Sequence, residues 1–314
     1  MGMPVQTVGV RVLSLQMLSH ALMFAAQNVS NLAERALLAP DTVATAALGR
    51  SWAAFCLLLT FTTNVVSVCP LVVGRCAGAG DGDDGRARAA TGQALFLACG
   101  GGALGLVLAA VAGVVGALAD GPARGVALFL ATQGLALGPQ LGARALLGYF
   151  AGTMRVGPRL LAAVGLAPAA VHLALAWLLT GLLSWSVAGA GLARLGAALA
   201  AAGAALAVAR VEFGGLGGPV CRPNRALLRA MLAEGSVLGL QQVLAGLMVL
   251  LLYVTAARAG DVTSAALTPT HSGVYPLLFC FAWGSSEAVP AAGAGDTAAR
   301  PFALPPSAEG FSQP

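Results

Sequence analysis

The stretch Cys76–Ala90 reads CAGAGDGDDGRARAA, and its core returns far downstream as AAGAGD at Ala291–Asp296. Ala77–Asp81 and Ala292–Asp296 are identical AGAGD pentapeptides, 215 positions apart. Glycine-rich turns with an acid are common, so one such match is cheap. Its meaning depends on what lies between the copies.

What lies between them is mostly apolar. Of 314 residues, 58% are hydrophobic and only 9% charged. A soluble domain carries about 25% charged residues, so this composition belongs to an integral membrane protein. All 17 basic residues are Arg, which together with the Ala and Gly excess fits a GC-rich bacterial coding bias. The net charge of +5 comes from scattered arginines, with no run of the kind that binds nucleic acid. Six cysteines lack CxxC or metal-ligand spacing and mostly fall in apolar runs, where Cys acts as a small hydrophobe. No metal site and no organic cofactor are expected. Neither paired carboxylates, an HExxH nor a Ser/His/Asp set stands out, so an enzyme is not expected. The first apolar run is too long for a signal-peptide core, and no small-residue cleavage site follows it.

A helix needs about 20 apolar residues to cross the hydrocarbon core. Runs of that order occur at Val12–Ala33, Ser51–Gly74, Thr91–Ala119, Gly125–Ala143 and Leu160–Ala193. The last is long enough to hide a turn at Leu183-Ser-Trp-Ser186, followed by Gly189 and Gly191, giving helices near 160–182 and 190–209. Two more follow near 235–257 and 267–289, making eight transmembrane helices in an all-α protein. With the N-terminus inside, twelve arginines fall in cytoplasmic segments and five (Arg35, Arg50, Arg124, Arg194, Arg258) outside. Basic loops stay in the cytoplasm. The expected location is therefore the bacterial inner membrane, multi-pass, with both termini cytoplasmic.

The echo extends beyond the pentapeptide. Asp41–Leu48 (DTVATAAL) resembles Gly260–Leu267 (GDVTSAAL), offset by 219. In both places a polar loop, a small-residue helix start, an apolar run and an AGAGD turn follow in order. A unit repeated after six helices keeps its orientation, because six is even, so the copies are related by an axis along the membrane normal. The polar turn recurs because a six-helix unit begins again. This reading assigns 1–211 to a six-helix lobe and 212–230 to a cytoplasmic linker. It assigns 231–296 to the first two helices of a second lobe and 297–314 to a polar, Pro-rich tail.

Several segments resemble the MATE (multidrug and toxic compound extrusion) transporters. They are Ala44–Gly49 (ATAALG), Val73–Asp81 (VGRCAGAGD), Leu147–Arg155 (LGYFAGTMR) and Val187–Ala193 (VAGAGLA). The resemblance covers nearly the whole chain up to about Asp296. It implies two six-helix lobes facing each other across a cavity, of which this chain would be a C-terminally incomplete copy. It also implies antiport, with H+ or Na+ as the coupling ion and a cationic or amphipathic small molecule as the exported partner. The chain departs from the family's pattern in four places. Helix one has no internal Pro, the nearest being Pro4; its carboxylate is Glu34. The Asn and acid often found in helix five correspond to His172 and Ala176. A Glu common in helix seven corresponds to Ala245.

Polar groups inside hydrocarbon are costly unless satisfied, which makes them candidates for function. His172 sits in the middle of helix five, where a protonatable ring could couple transport to H+ or simply bond a neighbouring backbone. Glu34 is the other ion-coupling candidate, with the headgroup region as its bland alternative. Gln27, Asn28 and Asn31 on helix one, Asn64 on helix two, and Gln241 and Gln242 on helix seven are substrate-cavity candidates, each with interhelical bonding as the alternative. His20 and His271 are weaker candidates, and Glu287 reads as the cytoplasmic end of helix eight. The leading function is a drug or metabolite exporter driven by cation antiport. The alternatives are a non-transporting remnant, and a lipid-linked sugar flippase of the same superfamily, against which stands the scarcity of charge inside the first six helices.

Overall fold

The computed structural model describes residues 10–78, 84–153, 156–214, 223–274 and 276–278. Every regular element among them is helical: α1 (Val10–Leu38), α2 (Thr42–Ser67), α3 (Cys69–Gly78), α4 (Asp84–Leu118), α5 (Gly121–Thr153), α6 (Pro158–Ala176), α7 (Ser186–Phe213), α8 (Arg225–Ala259) and α9 (Asp261–Pro269). Wide π-turns extend α6 to Leu182 and α9 to Val274.

Local chemistry places the ends. Asp41 caps α2, its carboxylate accepting the Ala44 N–H at 2.9 Å. Asn224 caps α8 in the same way, accepting from Ala226 and Leu227. Pro70 has no N–H to give to the preceding turn, and α2 passes into α3 across a break at Val68. Together they form one apolar span, Thr42–Gly74. The expected turn at Leu183–Ser186 is present, with Ser184 and Ser186 both at positive φ.

Among the described residues, six spans are long and apolar enough to cross a membrane: α2–α3, α4, α5, α6 with its π-turn, α7 and α8. α1 is 29 residues, about 44 Å at 1.5 Å per residue, and buries Ser19, His20, Asn28, Ser30, Glu34 and Arg35. Several helices run longer than their apolar cores. α2 takes in Arg50, α4 Arg86 and Arg88, α5 Arg144, and α8 Arg229 and Glu234. Most of the expected eighth helix, Glu287 and both AGAGD aspartates lie outside the described residues.

α4 packs along α5, α5 against α7, α7 against α6 and α6 against α1, while α2 lies on α5. The interior is dominated by small side chains such as Ala90, Ala94, Ala145 and Ala190, each 0% exposed, whereas Leu118 and Val211 on the outside are 82% exposed. That inversion suits a lipid surround, where small residues let helices approach. At the α4–α5 crossing, a Cβ on Gly102 would lie 3.0 Å from the Gly138 Cα. Gly101, Gly102 and Gly105 of α4 lie close against neighbouring helices, whereas Gly100 and Gly113 have nothing within 4 Å. α8 runs antiparallel along α2, and α9 follows it. The two matching octapeptides both begin helices, and those helices touch just past them: Arg50 pairs with Asp261 at 3.1 Å, and Thr268 Oγ1 donates to the Thr45 carbonyl at 3.4 Å.

Candidate functional site

Gln27, Ser30 and Glu34 succeed one another at helical spacing on the face of α1 that meets α6. There His172 of α6 brings its Nε2 to 2.8 Å from Glu34 Oε2. From α7, Arg194 Nη2 donates to Glu34 Oε1 at 2.6 Å, and its Nε reaches Oε1 and Oε2 at 3.2 and 3.0 Å. Glu34 and His172 are 0% exposed and Arg194 only 5%. The guanidinium also lies over the Trp52 ring at 4.2 Å and the Phe129 ring at 5.6 Å, a cation–π setting. One carboxylate is thus held by an arginine and a histidine from two other helices.

The proton positions follow from who can donate. Glu34 accepts from the guanidinium at both oxygens, so it acts as a carboxylate, and His172 Nε2 must carry a proton to bond it. On the other side of the ring, Nδ1 lies 3.0 Å from Ser30 Oγ and 3.5 Å from Gln27 Nε2. Ser30 Oγ is also 2.8 Å from the Gln27 carbonyl. Ser30 has one proton. If it turns to Nδ1, the ring is neutral; if it turns to the Gln27 carbonyl, a protonated Nδ1 donates to Oγ instead. The Ser30 hydroxyl thus has two acceptors within reach, the His172 ring and the Gln27 carbonyl.

This group adjoins a cavity of about 380 Å³ between α1, α2, α5, α6 and α7. Its polar lining is His20, Gln27, Asn31, Gln133, Gln140, Thr63, Arg144 and Arg194, set among apolar residues such as Met23, Trp52 and Val164. Gln133 is 0% exposed; its Nε2 donates to the Gly191 carbonyl at 3.5 Å, and its Oε1 has no partner among the described residues. No three His, Cys, Asp or Glu side chains gather into a metal-binding group among the described residues.

The structure therefore joins the two ion-coupling candidates, Glu34 and His172, and places Gln27 and Asn31 on the cavity wall. It does not bring the others there. Asn28 is buried and donates to the Phe24 carbonyl at 2.8 Å. Asn64 is half-buried on α2, outside the lining. Gln241 and Gln242 are exposed on α8. His20 lines the cavity, while His271 meets the Tyr253 ring edge-on at 6.0 Å. Glu34 is enclosed by neighbouring helices, with no solvent exposure.

Arg194 corrects the sequence reading most. Taken from position alone, it belonged with Arg35 in the outside loops, yet both are buried in helices, at 5% and 2% exposure. The signal was a lone Arg inside the run Val187–Ala209, which must either snorkel to the interface or find a partner on another helix. The interior is also not charge-free, since Glu34, Arg35 and Arg194 are buried and Arg144 lines the cavity.

Compared by sequence, the chain matches no family model, and no curated protein matches it. Compared by structure, it is similar to the MATE multidrug transporter DinF-BH, solved as a complex, at TM-score 0.76 and 13% identity, over 93% of this chain and 67% of that one. A multidrug resistance MATE family transporter of the MOP superfamily, solved outward-facing, gives 0.71 at 18% identity, over 93% and 70%. A MATE in complex with MaD3S gives 0.71 at 17%, over 92% and 68%. The chain thus spans about two thirds of the length of these structures. With the long apolar helices, these likenesses make it a multi-pass membrane protein with the fold of the MATE transporters.

Proposed function

We propose that the chain is a transporter that exports drugs or metabolites by cation antiport, with Glu34, His172 and Arg194 as its coupling group. The observation that carries this reading is the buried Glu34–His172–Arg194 group directly beside a cavity of drug size. Antiport needs a group that binds the ion in one conformation and releases it in another. His172 with Ser30 supplies such a group, its charge changing while Arg194 stays fixed. H+ is favoured over Na+, because a hard cation wants several oxygen ligands and both Glu34 oxygens are already taken by N–H donors. The cavity's mixed lining supports an amphipathic substrate. The rest of the proposal is an inner-membrane location with both termini cytoplasmic, a first lobe over 1–211, and a second beginning after the linker 212–230. Removing Arg35, Arg144 and Arg194, which lie inside the bundle, from the loop comparison leaves eleven arginines against three.

A lipid-linked sugar flippase is the second reading, and the charge inside the bundle favours it. Arg35, Arg144 and Arg194 against Glu34 undo the argument from scarcity of charge.

The test is proton flux in proteoliposomes carrying the full chain and a pH-sensitive dye. A panel of amphipathic compounds is added against an imposed pH gradient. We expect at least one compound to dissipate the gradient in wild type, and none to do so in His172→Gln. Proton movement in His172→Gln at wild-type rate, or in neither protein, would refute the coupling role.

A further inference from the structure

A second concavity is lined by other residues than the cavity beside Glu34. It is a groove of about 600 Å³ between α2, α4 and the first turns of α8. Its α8 wall follows helical spacing: Arg225, Arg229, Leu232 and Ser236 line it in succession, over about 16 Å at 1.5 Å per residue. Opposite stand Phe61 and Val65 of α2 and Phe96 of α4. The start of α8 is fixed there, because the Asn224 N–H donates to Gln93 Oε1 of α4 at 2.9 Å. The groove is charged at one end only. Arg225 and Arg229 are exposed and make no ion pair or hydrogen bond among the described residues. No carboxylate lines the groove among the described residues, and Glu234, the only acid of α8, is not on its wall. The charge-free stretch 235–257 of α8 measures about 34 Å at 1.5 Å per residue, enough to cross a hydrocarbon core of about 30 Å. Arg229 and Arg225 lie about 9 and 15 Å before it, at the level of the lipid headgroups. Phe61, against Gly239, lies within it. Phe61, Phe96 and Leu232 are 38%, 52% and 40% exposed, so the apolar part of the groove is open to lipid.

We propose that this groove holds an anionic phospholipid of the surrounding bilayer, its phosphate received by Arg225 and Arg229 and an acyl chain lying over Leu232, Phe61 and Phe96. Two guanidiniums one helical turn apart can each offer paired N–H donors to phosphate oxygens. Basic pockets between helices at the membrane surface recognise lipid headgroups in this way. A zwitterionic lipid brings its own ammonium to the same place and gains less from the arginines. A water-soluble phosphate gains nothing from the apolar floor, whereas an acyl chain does. The lipid would touch α2 and α4 on one side and α8 on the other, and so fasten the start of α8 to the helices before it. The site stands apart from the transport reading, which concerns the cavity beside Glu34.

The test is native mass spectrometry of the full chain in a neutral maltoside, titrated with phosphatidylglycerol or with phosphatidylcholine of the same acyl chains. We expect phosphatidylglycerol to bind about tenfold or more tighter, the scale of attraction that two arginines add toward anionic lipid. Arg225→Gln combined with Arg229→Gln should bring phosphatidylglycerol down to the phosphatidylcholine level. Arg159→Gln combined with Arg210→Gln removes the same charge from exposed positions at the start of α6 and the end of α7, and should leave the preference intact. Glycerophosphoglycerol, the headgroup without its chains, should not displace the lipid at equal concentration. The ranking in wild type needs no variant to fold. If phosphatidylcholine binds as tightly as phosphatidylglycerol, or if the Arg225 and Arg229 substitutions keep the preference, the assignment is overturned. If the Arg159 and Arg210 substitutions abolish it equally, net charge rather than this groove selects the lipid, and the assignment is overturned as well. If glycerophosphoglycerol displaces the lipid, the arginines hold a free phosphate ester and the lipid assignment is overturned.

Discussion

Glu34→Gln should cost the protein stability as well as coupling. The wild-type carboxylate accepts from Arg194 Nε and Nη2 and from His172 Nε2, all in a site with no solvent exposure of Glu34. A glutamine keeps the shape but offers only one acceptor oxygen. Whichever way its amide turns, an N–H faces either the guanidinium or His172 Nε2–H. Arg194 is then a buried charge without its anion, and removing one partner of such a pair costs about 3–5 kcal/mol. Its stacking on Trp52 is present in both proteins and cancels in the difference, so the expected loss stays at about 3–5 kcal/mol. Adding Arg194→Gln to Glu34→Gln removes the orphaned charge and lets two amides face each other. The double variant should therefore recover most of the loss, because replacing both members of a buried pair is often close to neutral. The measurement is equilibrium unfolding by SDS titration in mixed micelles, followed by tryptophan fluorescence, on wild type, both single variants and the double. The coupling from the cycle should be about 2 kcal/mol or more. A Glu34→Gln variant as stable as wild type, or a double variant no better than the single, would show that the 2.6 Å contact is not the stabilising pair described here.

Two further outcomes follow from the packing and the charge pattern. A Cβ at Gly235 would lie 2.7 Å from the Val65 Cα and 3.0 Å from its carbonyl oxygen, backbone atoms that cannot yield. Gly235→Val should push α8 off α2 and cost about 1–3 kcal/mol in the same titration, whereas Gly100→Ala, with nothing within 4 Å, should change little. For orientation, in a cysteine-free background Asp120→Cys, between α4 and α5, should react with an impermeant maleimide on intact cells. Gly157→Cys, between α5 and α6, should react only after permeabilisation, and the reverse pattern would invert the topology.

Composition and the AGAGD echo were enough to read an all-α membrane protein, because a chain that is 9% charged has too few polar side chains to cover a water-facing surface. The turn at Leu183–Ser186 was legible for a similar reason: small and polar residues interrupting an apolar run mark a change of direction. Helix ends were less so. Apolar runs report how much of a helix sits in hydrocarbon, whereas caps such as Asp41 and Asn224 decide where it starts. His172 and Glu34 stood out singly, as polar residues do when surrounded by Leu and Ala. Their bond did not, because 138 residues separate them and only the packing of α6 on α1 makes them neighbours. Gln241 and Gln242 show the converse. Their type suggested a cavity, but the rotation of α8 about its axis, set by Gly235 and Gly239 against α2, turns them outward. Arg194 needed the tertiary structure most. A sequence records that a charge lies in an apolar run, but whether that charge snorkels to the interface or reaches a carboxylate on another helix depends on which side of α7 faces α1.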